Sequence, residues 1–208
     1  MSVVQSKKEE YFNALTHGLG IILSIVGLIV FALTYDDEKI SFGYLLIYSF
    51  SMIILYSAST LYHIVENKKK KNLLRKFDHI SIYFLIAGTY TPICVSVLKE
   101  SRGFLILGLV WGITLIGLIL KIFFTGKFEK LSLLLYLVMG WLIVMDIQIL
   151  YDTISRIELI FFILGGAFYT LGVVFYVMHK LKYHHVIWHV FVLLGSLFHY
   201  LMIYCILN

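Results

Sequence analysis

Seven long apolar runs, separated by short polar breaks, fill a chain of 208 residues. The runs extend over residues 11–34, 40–65, 77–98, 103–124, 131–151, 157–179 and 185–207. The breaks between them read DDEK, ENKKKKNLLRK, KESR, TGKFEK, DTISR and KLKYH. Each run reaches the roughly 20 residues that a helix needs to cross the hydrocarbon of a bilayer. The pattern therefore predicts an all-α polytopic membrane protein, a bundle of seven transmembrane helices forming a single domain over residues 1–208. Spans and breaks leave no room for a separate soluble domain. The first ten residues are polar and lack the basic, apolar and small-residue succession of a cleaved signal peptide, so the first run is expected to be an uncleaved span.

Composition agrees with the pattern. Hydrophobic residues make up 61% of the chain and charged residues 14%, more apolar material than a soluble domain of this size can bury. The net charge of +5 does not point to nucleic acid, because the basic residues gather in the breaks. Thirteen of the 17 Lys and Arg residues fall at the N-terminus and in the second, fourth and sixth connections. The positive-inside rule then places the N-terminus in the cytoplasm and the C-terminus outside, and the expected location is the plasma membrane of a bacterium. The KKKK run at Lys68–Lys71 reads as a topology determinant in a solvated loop, with contact to anionic lipid as the other reading. Cys94 and Cys205 are too few for a thiolate metal site and read as small apolar fillers.

Against this apolar background the placement of a few polar residues stands out. His63, Asp78, His185 and His189 lie at run ends that the charge pattern assigns to the cytoplasmic side. Ionisable groups at one depth of a bilayer protein are candidates for function. His185 and His189 are i, i+4 and project from one helix face, as do Ser59 and His63. His17 lies about two turns into the first run from the same side, whereas His199 sits roughly 15 Å further along its helix than His189. Three imidazoles match a catalytic zinc site, which keeps its fourth position for water. In that reading Asp78 is the carboxylate that orients the water and takes its proton, and Ser59 is a nearby hydrogen-bond donor. Spacing alone also allows the plainer reading, histidines that hydrogen-bond lipid headgroups or backbone. That is the expectation for His79, His179 and His184, and an interhelical hydrogen bond is the expectation for His199.

Four motifs carry a resemblance. The segment Glu10-Tyr-Phe-Asn13-Ala-Leu-Thr-His17 is similar to E-x-x-N-x-x-x-H, and Ser59-Thr-Leu-Tyr-His63 to S-x-x-x-H. Phe77-Asp78-His79-Ile80-Ser81, followed by Ala87-Gly-Thr-Tyr-Thr-Pro92, is similar to a third-helix signature, and His185-Val-Ile-Trp-His189 to a closing H-x-x-x-H. In this order they resemble the hemolysin III family, the bacterial branch of the progestin and adipoQ receptor superfamily, which is related to alkaline ceramidases. The resemblance covers essentially the whole chain. It implies a seven-helix bundle with zinc near the cytoplasmic end, held by His63, His185 and His189 with Asp78 and Ser59 beside them. It gives Glu10, Asn13 and His17 no chemical role. They are expected to cap the first helix and hydrogen-bond toward the site.

Three functions follow as expectations. The first is a zinc-dependent intramembrane hydrolase acting on a lipid amide or ester. The second is a sensor of membrane lipid state with zinc as a staple, and the third a cytolysin. Membrane lipids are the expected partners in each. Transport is the remaining alternative, with Asp146, Gln148 and His199 as conduit residues. A retinal protein is disfavoured by the absence of lysine from the seventh run, and a voltage sensor by the absence of an arginine ladder. Pro92, the only proline, is expected to kink the third span, with Thr89 and Thr91 taking up the carbonyl it frees. Gly108 and Gly112 are expected to pack within the bundle.

Overall fold

The computed structural model describes residues 5–207, and all of its regular elements are helical. Their order is α1 (Lys7–Thr34), α2 (Phe42–Ile64), α3 (Lys68–Ser96), α4 (Gly103–Phe124), α5 (Glu129–Trp141), a 3₁₀ turn (Leu142–Asp146), α6 (Ile147–Thr153), α7 (Arg156–Val177) and α8 (His184–Leu207). α5, the turn and α6 together form the fifth span, so seven helical segments are long and apolar enough to cross a membrane. Leucine, isoleucine and phenylalanine cover the outside, for example Leu33, Phe104, Phe123 and Ile163. In water such a surface would be untenable; in lipid it is the favoured one.

α1 to α4 pack in chain order, α5 rests on both α3 and α4, α7 packs on α8, and α8 closes against α1. α3 is the most enclosed span: 67% of its most apolar stretch is buried, against 11% in α7. It also carries the most polar residues, and buried hydroxyls there find carbonyls. Thr89 and Thr91 donate to the carbonyls of Leu85 and Ala87, each at 2.8 Å, so they turn back on their own helix and not to Gly88, whose carbonyl Pro92 leaves free. Across helices, Tyr56 of α2 donates to Ser196 Oγ of α8 at 2.6 Å, and Tyr169 of α7 lies 2.7 Å from the same oxygen. Bonds of this kind are what polar groups contribute to helix association in a bilayer.

Several boundaries depart from the apolar pattern, two for a local reason and one through a distant residue. α1 begins one turn earlier than its apolar run because Ser6 and Glu9 form a capping box: Glu9 N–H donates to Ser6 Oγ and Ser6 N–H to Glu9 Oε2. The basic break after α2 is helical and not a loop. Asn67 caps it by accepting from the Lys69 and Lys70 amides, both at 3.1 Å, and lysine, leucine and arginine are good helix formers. The fifth span, expected to be continuous, is interrupted. The Tyr90 hydroxyl of α3 donates to Gly140 O and accepts from Ile143 N–H, both at 3.0 Å, and a side chain inserted into the backbone ladder breaks a helix. The turn is then tied to the start of α4, where Asp146 accepts from the Ser101 hydroxyl and the Arg102 amide.

Gly108 and Gly112 do not pack within the bundle. A Cβ at either would meet nothing within 4 Å, so they lie on an open face of α4. Both cysteines are free thiols.

Candidate metal centre

The N-terminus of α1, the α2–α3 connection, the α4–α5 connection and the start of α8 meet at one end of the bundle, the end with most of the basic residues. Lys7 pairs with Glu66 at 3.4 Å, Lys76 Nζ donates to Ile122 O at 3.1 Å, and the Tyr183 amide donates to Glu9 Oε1 at 3.0 Å. Just inside this end, His63 from the last turn of α2 and His185 and His189 from the first two turns of α8 converge. One ligand atom from each lies within 4.8 Å of the others. Their ring centroids are 4.6 Å apart for His185 and His189, 5.0 Å for His63 and His189, and 5.3 Å for His63 and His185. His63 and His189 are buried and His185 half-buried.

The hydrogen bonds behind the rings determine which nitrogens face the centre. His189 Nδ1 lies 3.2 Å from the Asn13 carbonyl. A carbonyl only accepts, so the hydrogen of His189 sits on Nδ1 and the lone pair is left on Nε2. His63 Nδ1 lies 2.6 Å from Glu10 Oε2, and Glu10 Oε1 pairs with Lys71 Nζ at 2.8 Å. A lysine-paired carboxylate also accepts, so His63 carries its hydrogen on Nδ1 as well. His63 Nε2 is buried and has no hydrogen-bond partner among the described residues. Ser59 Oγ, one turn along α2, is likewise buried and unpartnered. Buried polar atoms are normally satisfied. Unpartnered buried atoms also occur elsewhere among the described residues, Ser49 Oγ, both His17 nitrogens and both His199 nitrogens among them; what sets His63 Nε2 apart is that it belongs to three convergent imidazole donors, an arrangement that a metal ion would satisfy. The donor set, neutral imidazole nitrogens with no fourth His, Cys, Asp or Glu in the group among the described residues, fits a divalent cation that prefers nitrogen and keeps an open position.

The other residues singled out from the sequence are distributed as follows. Asp78 lies half-buried in α3, outside the three-imidazole group. His17 stacks on His189, with centroids 3.6 Å apart and planes 8° from parallel, and stands edge-on to Tyr56 at 5.1 Å. His184 Nδ1 lies 3.2 Å from Phe175 O and so ties α8 to α7. His199 sits among α7 rings, 5.5 Å from Tyr169 and 6.3 Å from Phe162. Asp146 is engaged at the start of α4, and Gln148 bonds Asp152, which leaves neither aimed along a conduit. Glu10 and Asn13 were legible as a motif but not as the partners of the two histidines. Their contacts cross 53 and 176 positions of sequence.

Beyond His17 and Tyr56, away from the basic end, a cavity of about 270 Å³ lies between α1, α2 and α8. Its lining includes Gly20, Gly27, Met52, Leu193 and Leu197. The helices that wall it are the same three that carry His17, His63 and His189.

The profile of the family described as haemolysin-III related matches residues 5–200. The chain is similar to the hemolysin-3 homolog of Bacillus subtilis (strain 168), 45% identical over 96% of this chain and 95% of that one. It is similar to hemolysin-3 of Bacillus cereus, 39% identical over 99% and 93%. It is also similar to the human monocyte to macrophage differentiation factor, 32% identical over 94% and 83%. A seven-helix bundle matched along nearly its whole length in this way is a multi-pass membrane protein that belongs to the haemolysin III family.

Proposed function

We propose that the protein is a zinc-dependent intramembrane hydrolase acting on a lipid amide or ester, with its reaction centre at the basic, cytoplasmic end of the bundle. The observation that carries this reading is the convergence of three imidazole donors beside an unpartnered, buried serine hydroxyl. A structural zinc site closes with four protein ligands, whereas a catalytic one keeps a position open. When bound, zinc supplies a Lewis acid and a water whose pKa falls to about 7.

The chain's own residues supply the rest. Asp78 receives the proton of the attacking water and returns it to the leaving nitrogen or oxygen. Ser59 Oγ–H donates to the carbonyl oxygen as negative charge develops there, the position where a fixed donor lowers a barrier most. What supports a lipid as substrate is the cavity of about 270 Å³ between α1, α2 and α8. It is apolar, lies at membrane depth and begins next to the His17–Tyr56 pair that borders the imidazoles. An acyl chain in that space sets its carbonyl toward the centre.

The test is metal content together with hydrolysis of a fluorescent long-chain lipid amide. Both are measured on detergent-purified wild type, His189→Ala and Asp78→Ala. The expected result is about one zinc per chain in wild type, lost in His189→Ala, with zinc kept and turnover lost in Asp78→Ala. Zinc without turnover in wild type overturns the hydrolase reading in favour of a zinc-stapled lipid sensor. No stoichiometric metal in folded protein overturns the ligand assignment with it.

A further inference from the structure

The first turns of α1 touch every element that carries a donor. Glu9 Oε1 accepts from the backbone amide of Tyr183, two residues before His185. Tyr183 adopts a left-handed conformation (φ 60°), which is uncommon outside glycine, and this bond helps hold it there. Glu10 contacts the His63 ring with one oxygen and Lys71 with the other. The Asn13 carbonyl holds His189 Nδ1, Thr16 Oγ1 lies 3.4 Å from the same nitrogen, and His17 stacks on that ring.

Within this contact set Glu10 differs from the others in kind. Asn13 holds its histidine through main chain, which any residue would supply. Glu10 acts through its side chain, and the carboxylate reaches 2.6 Å, a charge-assisted distance. Lys71, from the first turn of α3, neutralises the second oxygen and holds it in place. The His63 side chain is 1% exposed, so no water competes for Nδ1. Without the carboxylate its ring is free to rotate or to move its hydrogen to Nε2, and either change removes the lone pair from the centre.

We infer that Glu10 is a positioning residue for the metal centre: through the Glu10–His63 contact, braced by Lys71, it fixes the orientation of His63 and the nitrogen that His63 offers to a metal. The inference rests on the reading of the three imidazoles as ligands and adds a fourth essential side chain, one that binds no metal itself. It also gives the first motif of the chain a role, orientation of ligands from behind. Carboxylate partners of this kind typically change metal affinity 10- to 100-fold.

The experiment is a zinc titration against a competing chelator in detergent on metal-stripped wild type, Glu10→Gln, Lys71→Met and Lys7→Met, with the melting temperature of each metal-free protein measured alongside. Lys7 pairs with Glu66 on the exposed surface and serves as control. Glu10→Gln is expected to weaken zinc 10- to 100-fold and Lys71→Met several-fold, with Lys7→Met unchanged and the metal-free melting temperatures close to wild type. Glu10→Gln that binds zinc within twofold of wild type overturns the inference, and so does a fall in metal-free melting temperature with zinc affinity unchanged. Should Glu10→Gln not fold, Lys71→Met decides in its place: weaker zinc supports the inference and unchanged zinc overturns it. Wild type that binds no zinc fails at the earlier step and overturns the ligand reading, whereas wild type and variants that bind alike overturn only the role of Glu10.

Discussion

Replacing Ser59 by alanine separates a serine that serves the fold from one that serves a reaction. Several buried serine hydroxyls of the bundle turn back on their own helix: Ser24 donates to Gly20 O at 2.7 Å, Ser51 to Tyr48 O at 2.6 Å and Ser132 to Phe128 O at 3.1 Å, whereas Ser49 and Ser59 on α2 are buried without a partner among the described residues. Ser59 is 1% exposed and makes no such bond. Burial of a hydroxyl without a partner costs about 1–3 kcal/mol. Alanine removes that cost, and it removes only one oxygen, so the cavity it leaves is small. Metal-free Ser59→Ala is therefore expected to be more stable than wild type by about 1 kcal/mol or more. Lipid-amide turnover should fall roughly 100-fold or more, the loss typical when one donor to a developing oxyanion is removed. Stability is read by thermal or SDS-induced unfolding of the metal-stripped protein in detergent, and turnover on the zinc-loaded protein from the same preparation. A variant less stable than wild type with unchanged turnover refutes the reasoning, because it means that the hydroxyl is bonded within the fold and does nothing at the centre.

Two further predictions concern the frame around the site. Tyr90→Phe removes the hydroxyl that holds both Gly140 O and Ile143 N–H. At about 0.6 kcal/mol per interhelical bond in a bilayer it should lose about 1 kcal/mol in an unfolding assay, and amide exchange at Ile143 should speed up. Gly20→Ala sets a Cβ 2.5 Å from the nearest Tyr56 ring carbon. Overpacking of this kind typically costs about 1–3 kcal/mol, and displacement of Tyr56 should also narrow the apolar cavity, raising KM for a long-chain amide more than for a short one.

The sequence by itself determined the seven spans and named the three histidines that converge at the candidate site. Membrane crossing depends on apolar character summed over about 20 consecutive residues, a property of one stretch of chain. The His185–His189 pair was legible for a similar reason, since i, i+4 spacing fixes a shared helix face whatever surrounds it. The cap that starts α1 is also local, and Ser6 and Glu9 signal it three residues apart. Apart from the basic break, which Asn67 caps into helix locally, what failed in the local reading depended on the tertiary packing. The fifth span is apolar enough to be one helix, and it breaks because a tyrosine from α3 reaches its backbone. Gly108 and Gly112 look like a packing motif, and only the placement of α4 leaves them facing outward.

The same division runs through the candidate centre. Sequence named His63, His185 and His189 as a set, but nothing in one dimension brings α2 against α8. That follows from the close packing of α1 between them, with Glu10 reaching one histidine and Asn13 the other. Which nitrogen His63 and His189 offer was decided only there as well. A side chain's type and spacing are written in the chain, whereas its hydrogen-bond partner is chosen by which helices come to lie within 3 Å or so of it, and in a bundle that choice belongs to the packing of the whole.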